Sequence, residues 1–306
     1  MFSFCGKNDD GGPPPIPPKT DTLGSGWQKI TMPDTLGFDD VFFVNDATGY
    51  ICGFKYLAKS IDGGLSWSKY TIPDSLSGGF INIFFLDVNH GWVVSDAHII
   101  KTDDGGKNWQ YLKLNTPYGG GPIDIQFLSP LIGYMTSGSG FYKTADGGVT
   151  WTKINSAFPT RGLYFFNNNT GWVSSDGIVK HTNNGGSSFD FEKIITSNRD
   201  QNYIVQFTDM QHGWVTGDKG IIWSTTNGGV DWEQLLSDGT GGDVHFFDNN
   251  NGFLVSGATI YRTMDGGKTL IKEASIRKSN IVEIHFTDAN HGWAAGSSGG
   301  LYKYLK

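Results

Sequence analysis

The sequence predicts an all-β protein, a seven-bladed β-propeller with four antiparallel strands in each blade. Three observations predict this fold. A Gly-Gly turn motif, which we call the box, recurs six times along the 306 residues, and a glycine followed by an aromatic residue recurs seven times. The composition also fits, since 44 glycines and 14% aromatic residues suit short strands joined by tight turns. Units of four strands with a period near forty residues are typical of propeller blades.

Each box begins with Ser or Thr, continues with Asp or Asn before two glycines, and ends in four copies on Trp. The residues before the glycine pair are Asp62, Asp104, Asp146, Asn184, Asn227 and Asp265, which stand 42, 42, 38, 43 and 38 residues apart. Glycine supplies the positive φ of a tight hairpin, and Asp or Asn can bond the backbone of its own turn. We therefore expect a structural hairpin between the third and fourth strands. The alternative is a calcium or ligand site, which the two Asn copies disfavour.

The Gly-aromatic motif marks a second turn, between the first and second strands. Its glycines are Gly49, Gly91, Gly133, Gly171, Gly213, Gly252 and Gly292. Six residues before each of them stands a phenylalanine, and eight residues before stands Val, Ile or Leu. Because side chains alternate along a strand, these two positions share one face, which we predict to be buried.

The last unit has a Gly-aromatic motif but no box, so it lacks a fourth strand. The segment Gly26–Ile30 matches the strands that follow the boxes, such as Ser66–Tyr70. We predict that the strand at Trp27 completes the last blade and closes the ring. The domain organisation is then a tether over residues 1–26 and a single propeller over residues 27–306.

The tether is rich in Gly and Pro and contains the run Pro13-Pro14-Pro15-Ile16-Pro17-Pro18, which favours an extended, solvated chain. Upstream, Cys5 is followed by a polar and acidic spacer, as at the mature start of a bacterial lipoprotein. The sequence therefore suggests lipidation at Cys5 and an extracytoplasmic location, either periplasmic or at the cell surface, with an anchor in the outer membrane. An unmodified cysteine in a flexible tail is the alternative.

The net charge of −7 argues against nucleic acid as a partner and against a polybasic membrane contact. The only two cysteines, Cys5 and Cys52, form neither a disulfide framework nor a metal-binding spacing. His90, His212 and His291 each precede a Gly-Trp pair, and we interpret them as turn residues of separate blades. We predict a monomer without a metal or cofactor.

The boxes match the Asp-box pattern of sialidases, sortilin-type receptors and xyloglucanases. Together with the lysine-threonine lead-in and the F-x-D-x-x-x-G-W hairpin at Phe85–Trp92, Phe207–Trp214 and Phe286–Trp293, they resemble the photosystem II stability/assembly factor-like family of seven-bladed propellers. The resemblance covers residues 27–306. It implies a non-enzymatic scaffold that binds a membrane protein during assembly, partly through an arginine-rich surface. This chain has only four arginines, so the photosystem partner is not carried over.

The loops between blades are the usual binding surface of a propeller, near the mouth of its central channel. Candidate binding residues on that surface are Arg161, Arg199, Arg277 and Tyr118, with Phe158 beside them, and the polar residues that begin the innermost strands are Asp40, Asp124, Asp243 and Glu283. We expect these residues to bind an envelope protein or a glycan. The alternative is that the polar residues only bond local water and neighbouring backbone.

An enzyme is the less favoured interpretation. A sialidase needs an arginine triad, a Tyr-Glu nucleophile pair and an acid/base Asp on six blades, and a xyloglucanase needs two propellers facing across a cleft. A glycan-binding or glycoside-hydrolysing propeller is retained as the alternative to a protein-binding scaffold.

Overall fold

The computed structural model describes residues 3–5, 21–23, 26–32, 37–72, 79–95, 98–114, 121–155, 160–195, 202–217, 220–236, 242–276 and 280–306. Thirty strands run through them in chain order. No helix within these ranges has the length and apolar character to cross a bilayer.

The strand bounds follow the repeats. The N-terminal strands and blades one to three are β1 (Ser3–Cys5), β2 (Asp21–Thr22), β3 (Trp27–Ile30), β4 (Phe38–Phe43), β5 (Gly49–Gly53), β6 (Tyr56–Ser60), β7 (Ser68–Lys69), β8 (Phe80–Phe85), β9 (Gly91–Ser95), β10 (His98–Thr102), β11 (Asn108–Lys113), β12 (Pro122–Phe127), β13 (Gly133–Ser137), β14 (Gly140–Thr144) and β15 (Thr152–Asn155). Blades four to seven are β16 (Leu163–Phe165), β17 (Gly171–Ser175), β18 (Ile178–Thr182), β19 (Phe191–Ile194), β20 (Asn202–Phe207), β21 (Gly213–Gly217), β22 (Ile222–Thr225), β23 (Glu233–Leu236), β24 (Gly242–Phe246), β25 (Gly252–Ser256), β26 (Thr259–Thr263), β27 (Ile271–Ser275), β28 (Ile281–Asp288), β29 (His291–Gly296) and β30 (Leu301–Leu305).

The strands form seven antiparallel sheets, and the predicted fold class, an all-β seven-bladed propeller, is confirmed. By their internal packing the sheets fall into two compact units. One unit, Met1–Leu114 with Ile276–Lys306, holds blades seven, one and two. The other, Asn115–Ser275, holds blades three to six. The division of the chain into a tether and one propeller domain stays a prediction.

The strand at Trp27 completes the last blade, as the missing box predicted. β3 pairs antiparallel with β30, with Trp27 opposite Tyr304 and Ile30 opposite Leu301. The indole of Trp27 is fully buried and packs edge to face against Phe286 of the same blade, with 89° between the ring planes. β2 pairs with the outer side of β3, so this sheet has five strands.

The core lies between neighbouring blades. The aliphatic and phenylalanine side chains at the two motif positions of the first strand are buried in every blade. The second strand of each blade is buried at all five positions from its motif glycine onward. Cys52 lies in one of these strands as a buried free thiol, as predicted. Such continuous burial is expected of a strand whose two faces are covered by adjacent sheets.

Candidate functional site

The six boxes form the same hydrogen-bonded hairpin. In blade three, the hydroxyl of Thr144 accepts a hydrogen bond from the N–H of Gly148 (2.9 Å) and donates one to Asp146 (2.8 Å). Asp146 accepts two more, from the backbone and the hydroxyl of Thr150 (2.8 and 2.6 Å). Both glycines have positive φ, 76° for Gly147 and 94° for Gly148, which a residue with a Cβ adopts only with strain. The box therefore forms the predicted hairpin.

The two boxes with Asn in place of Asp keep this hydrogen-bond network, because their side-chain amide donates to a residue that can accept. The amide of Asn184 donates to the hydroxyl of Ser188 (2.7 Å), and the amide of Asn227 donates to the carboxylate of Asp231 (3.2 Å). In the Asp boxes the same partner position is a donor, as Thr150 is. Partial burial acts to raise the pKa of Asp146, but the hydrogen bonds from Thr150 and Thr144 outweigh it and lower that pKa. The box acids are thus hydrogen-bonded by their own hairpins.

The boxes also join neighbouring blades, which the sequence did not reveal. In four of the described blades the aromatic residue after the motif glycine donates a hydrogen bond to the first box glycine of the next blade. Four such bonds reach a box carbonyl, from Tyr50 to Gly105 (2.8 Å), Trp172 to Gly228 (2.8 Å), Trp214 to Gly266 (3.1 Å) and Trp293 to Gly63 (3.0 Å). In blade one, Lys59 donates to the same carbonyl of Gly105 (2.7 Å). In this blade the lysine before the box serine, Ser60, therefore also contributes to the contact between blades.

The same aromatic residue stacks on the motif phenylalanine of the next blade. The stacked pairs are Trp293 with Phe43 (centroids 3.4 Å apart), Tyr50 with Phe85 (4.0 Å), Tyr134 with Phe165 (3.9 Å), Trp172 with Phe207 (3.7 Å) and Trp214 with Phe246 (3.5 Å). The opposite face of each phenylalanine covers the motif glycine of its own blade. A Cβ on Gly213 would meet the ring of Phe207 at 2.5 Å. This close approach explains why the motif requires glycine.

Two of the candidate acids, Asp40 and Asp124, bond the backbone of the next blade. Asp40 is buried and accepts from the N–H of Ile83 (2.5 Å). Asp124 accepts from the N–H groups of Leu163 (3.0 Å) and Ile125 (2.8 Å). Hydrogen bonding to neighbouring backbone was the alternative that the sequence left open, and the structure shows that this backbone belongs to the next blade. These bonds give the two residues a structural role, and their predicted role in binding stays a prediction.

The other two candidate acids begin the first strands of blades six and seven. Asp243 is buried and accepts from the N–H of Val244 (2.6 Å). Glu283 is half-buried in β28, opposite Ala295. Their predicted role in binding an envelope protein or a glycan stays a prediction.

Burial raises the pKa of Asp124 to about 7, against the lowering effect of its two N–H donors. An Asp in the unfolded chain has a pKa of about 3.9, so the folded chain binds the Asp124 proton more tightly. The stability that this protonated carboxyl contributes is therefore lost as the pH rises through 7. We expect the free energy of unfolding to fall between pH 5 and pH 8 by on the order of 1 kcal/mol more in the unmodified chain than in Asp124→Asn. Urea unfolding of both proteins at pH 5, 6.5 and 8 measures this difference.

A buried histidine acts in the opposite direction in both proteins, so only the difference between them reports Asp124. Burial lowers the pKa of His285 to about 4, and its Nε2–H donates to the carbonyl of Phe43 (2.8 Å). Parallel stability curves for the unmodified chain and Asp124→Asn would contradict the assignment of a raised pKa to Asp124.

Arg161 is the one candidate arginine within the described ranges. Its Nε lies 3.9 Å from Asp176 Oδ1 in the hairpin of the same blade, and both side chains are partly exposed. Its carbonyl accepts from Thr136, whose hydroxyl also accepts from the N–H of Asp124 (2.6 and 3.1 Å). The structure thus brings Arg161 and Asp124 to neighbouring positions of blades three and four.

Several candidate residues lie outside the described ranges, namely Tyr118, Phe158, Arg199 and Arg277. Their place in a binding surface stays a prediction. Of Cys5 the structure describes the backbone, which lies in β1.

Two of the three histidines before Gly-Trp, His90 and His212, lie in turns, as interpreted from the sequence, whereas His291 is the first residue of β29. His90, His212 and His291 each contact the aspartate three residues earlier through Nδ1. His291 also has Asp46 of blade one within 3.5 Å, and Asp46, Asp288 and His291 offer ligand atoms within 4.8 Å of one another. All three are partly exposed, and the Asp–His turn by itself accounts for the placement of His291.

Asp46 lies at the contact between blades seven and one. At the equivalent contact between blades five and six, the amide Asn249 stands in the same position. Asn249 accepts from Thr208 and donates to Asp209, both at 2.7 Å. Asp46 accepts from Thr287 in the same way, but its second oxygen faces Asp288 and His291 without an N–H to donate. The two carboxylates therefore repel at the contact between blades seven and one unless a proton or cation lies between them.

We expect Asp46→Asn to raise the free energy of unfolding at pH 8 by about 0.5–1 kcal/mol, because an amide can donate to Asp288 as Asn249 does to Asp209. The reciprocal substitution, Asn249→Asp, is expected to lower it by a similar amount. Thermal unfolding of both variants at low ionic strength makes the comparison. A loss of stability in Asp46→Asn would show that the carboxylate itself is required.

Known proteins share the sequence pattern behind this geometry. The family model described as photosynthesis system II assembly factor YCF48 matches residues 19–159, a little under half of the chain. Over these residues the chain is similar to the photosystem II assembly factor family. The resemblance read from its motifs is thereby confirmed.

Solved structures show the same fold over nearly the whole chain. "YCF48 bound to D1 peptide" is 24% identical, with a TM-score of 0.76, and the alignment covers 96% of this chain and 99% of that one. YCF48 from Cyanidioschyzon merolae is 22% identical, with a TM-score of 0.75 and coverage of 92% and 99%. A catalytically inactive virginiamycin B lyase from Staphylococcus aureus is 12% identical, with a TM-score of 0.74 and the same coverage. These likenesses show the fold alone, and no curated protein matches the sequence.

Proposed function

We propose that this propeller is a non-enzymatic scaffold that binds a segment of a partner protein and assists the assembly or stability of a protein complex in the cell envelope. One observation carries the proposal: a solved structure with the same fold over 96% of this chain is that of YCF48 bound to a D1 peptide. The match of residues 19–159 to the assembly-factor family supports it. Because the chain has only four arginines, the proposed partner is an envelope protein other than a photosystem subunit.

The hydrogen bonds of the repeated turns and of the first strands support a binding role over a catalytic one. The box acids and the acids Asp40 and Asp124 accept hydrogen bonds from the protein itself. A general acid or base must instead reach a substrate. Binding then depends on the residues that vary from blade to blade, among which Arg161 is the described candidate.

The proposed location is extracytoplasmic, with a lipid at Cys5. The support is the sequence Cys5-Gly6-Lys7-Asn8-Asp9-Asp10 and the proline-rich spacer that follows it. Metabolic labelling of cells with an alkyne fatty acid tests this location. We expect label in the unmodified protein and in Cys52→Ser, and none in Cys5→Ser.

Crosslinking in native envelopes followed by affinity capture tests the scaffold. We expect one envelope protein to be enriched with the unmodified propeller and to be depleted with Arg161→Ala, whereas Lys193→Ala, a surface lysine paired with Asp231, leaves capture unchanged. A matched assay on a panel of glycosides tests the alternative. Turnover that is abolished by Asp124→Asn or Glu283→Gln would overturn the scaffold in favour of a glycosidase.

A further inference from the structure

Blade two carries an additional strand on its outer edge. β1 pairs antiparallel with β11, with Ser3 opposite Gln110, Phe4 opposite Trp109 and Cys5 opposite Asn108. β11 has six residues, whereas the fourth strands of blades one and three to six have two, four, four, four and five. The longest outer strand among these blades is therefore the one that accepts a strand from elsewhere in the chain.

The alternation of β11 shows which backbone groups face outward. The N–H of Asn108 points into its own hairpin, where it donates to Asp104 (2.9 Å). Because successive residues of a strand direct their N–H and C=O to opposite sides, Trp109 and Tyr111 direct theirs to the outer edge. Phe4 lies opposite Trp109, so residues 3–5 cover the first of these outward positions. The register leaves the edge at Tyr111 beyond the described part of β1.

We propose that the outer edge of β11 is a strand-addition site for an extended segment of the partner protein, and that residues 3–5 cover this edge in cis. The inference rests on the proposed function and specifies how the partner segment is held. Main-chain hydrogen bonds supply affinity in such complexes, and alternate side chains supply specificity. The described segment on the edge, Ser3-Phe4-Cys5, has an apolar residue between two small ones, and a partner segment with the same alternation fits the same register.

The cis strand also explains how an exposed edge is kept from unwanted association. An uncovered strand edge presents a row of N–H and C=O groups that pairs with other chains. Processing at a lipidated Cys5 would remove the residues before it, including Phe4, and so uncover the backbone of Trp109. Covering before processing and exposure afterwards would couple partner binding to arrival at the membrane.

Amide hydrogen exchange of the unprocessed full chain tests the cis contact. Proline at Phe4 removes the N–H that faces Trp109, and we expect it to speed exchange of the Trp109 amide about tenfold or more. Ser3→Pro is the matched control, because Ser3 lies opposite Gln110, whose backbone groups face β10, and its own N–H points away from β11. Equal exchange at Trp109 in the unmodified chain and Phe4→Pro would overturn the cis contact.

A peptide added in trans tests the site itself. The probe is a synthetic peptide with the sequence of residues 1–12 carrying Ser in place of Cys5, added to the full-length Phe4→Pro chain. We expect it to restore protection at Trp109 and Tyr111 and to leave the fourth strand of blade three, Thr152–Asn155, unchanged. Equal protection of both strands, or protection of neither, would overturn the site.

These outcomes are separable from those of the scaffold experiment. Partner capture with no effect of the peptide leaves the proposed function intact and removes this inference. Protection by the peptide with no partner captured from envelopes retains a strand-addition site and removes the proposed function.

Discussion

Replacing Trp172 with alanine is expected to lower the free energy of unfolding by about 4 kcal/mol, the range found for truncation of a large buried aromatic residue. Its side chain is fully buried. Its ring stacks on Phe207 of the next blade at 3.7 Å, and its indole N–H donates to the box carbonyl of Gly228 at 2.8 Å. Truncation therefore opens a cavity between blades four and five and leaves a buried carbonyl without its donor. Guanidinium unfolding followed by circular dichroism measures the loss.

Two control variants divide this effect into its parts. Trp172→Phe retains an aromatic ring and removes the N–H, and we expect it to cost about 1–2 kcal/mol. Trp232→Leu changes a box tryptophan that is half-buried and donates within its own hairpin, to Gly229 (2.9 Å). The box of blade six has Leu270 at this position, so the expected cost is smaller. A loss for Trp232→Leu as large as that for Trp172→Ala would contradict the importance of the contact between blades.

Replacing Gly213 with alanine is expected to lower the free energy of unfolding by about 3 kcal/mol, at the upper end of the usual cost of overpacking. The added methyl group would lie 2.5 Å from two ring carbons of Phe207. That ring cannot move away, because Trp172 stacks on its other side and Trp232 packs against it edge to face. The strain must be relieved by displacing the strand pair β20–β21.

Gly79→Ala is the matched control for this substitution. A Cβ on Gly79 would have one neighbour within 4 Å, Phe54 at 3.9 Å, and that side chain is largely exposed. We expect its melting temperature to stay within a few degrees of the unmodified chain. Similar melting temperatures for the two glycine variants would show that the Phe207 ring can move and that the motif glycine is not required by packing.

The sequence predicted most of what lies within one blade. The spacing of Phe207 and Val205 before Gly213 indicated a buried strand face, and both side chains are buried. The box predicted a hairpin, and the missing seventh box predicted that Trp27 pairs in the last blade. These features are local or repeat with a fixed period, so periodicity and turn chemistry are sufficient to recognise them.

Contacts between blades were not predictable in the same way. Trp172 and Gly228 are 56 residues apart, and Trp293 and Gly63 are 230 apart. The sequence shows that a tryptophan and a box recur but not that one donates to the other. Asp40 and Asp124 were read as candidates for binding because they begin the innermost strands. Only the fold shows that each bonds the backbone of the following blade.

By itself the sequence determined the strand pattern, the number of blades and the place of the N-terminal strand, because alternation and turn residues act over a few neighbouring positions. The tertiary structure decided the role of each repeated residue, because a side chain such as Trp172 meets its partners only after two blades pack together. It also decided that β11 offers an edge on which residues 3–5 lie. Strand addition depends on backbone groups, which all sequences share, and the packing of the sheets selects the edge that remains accessible.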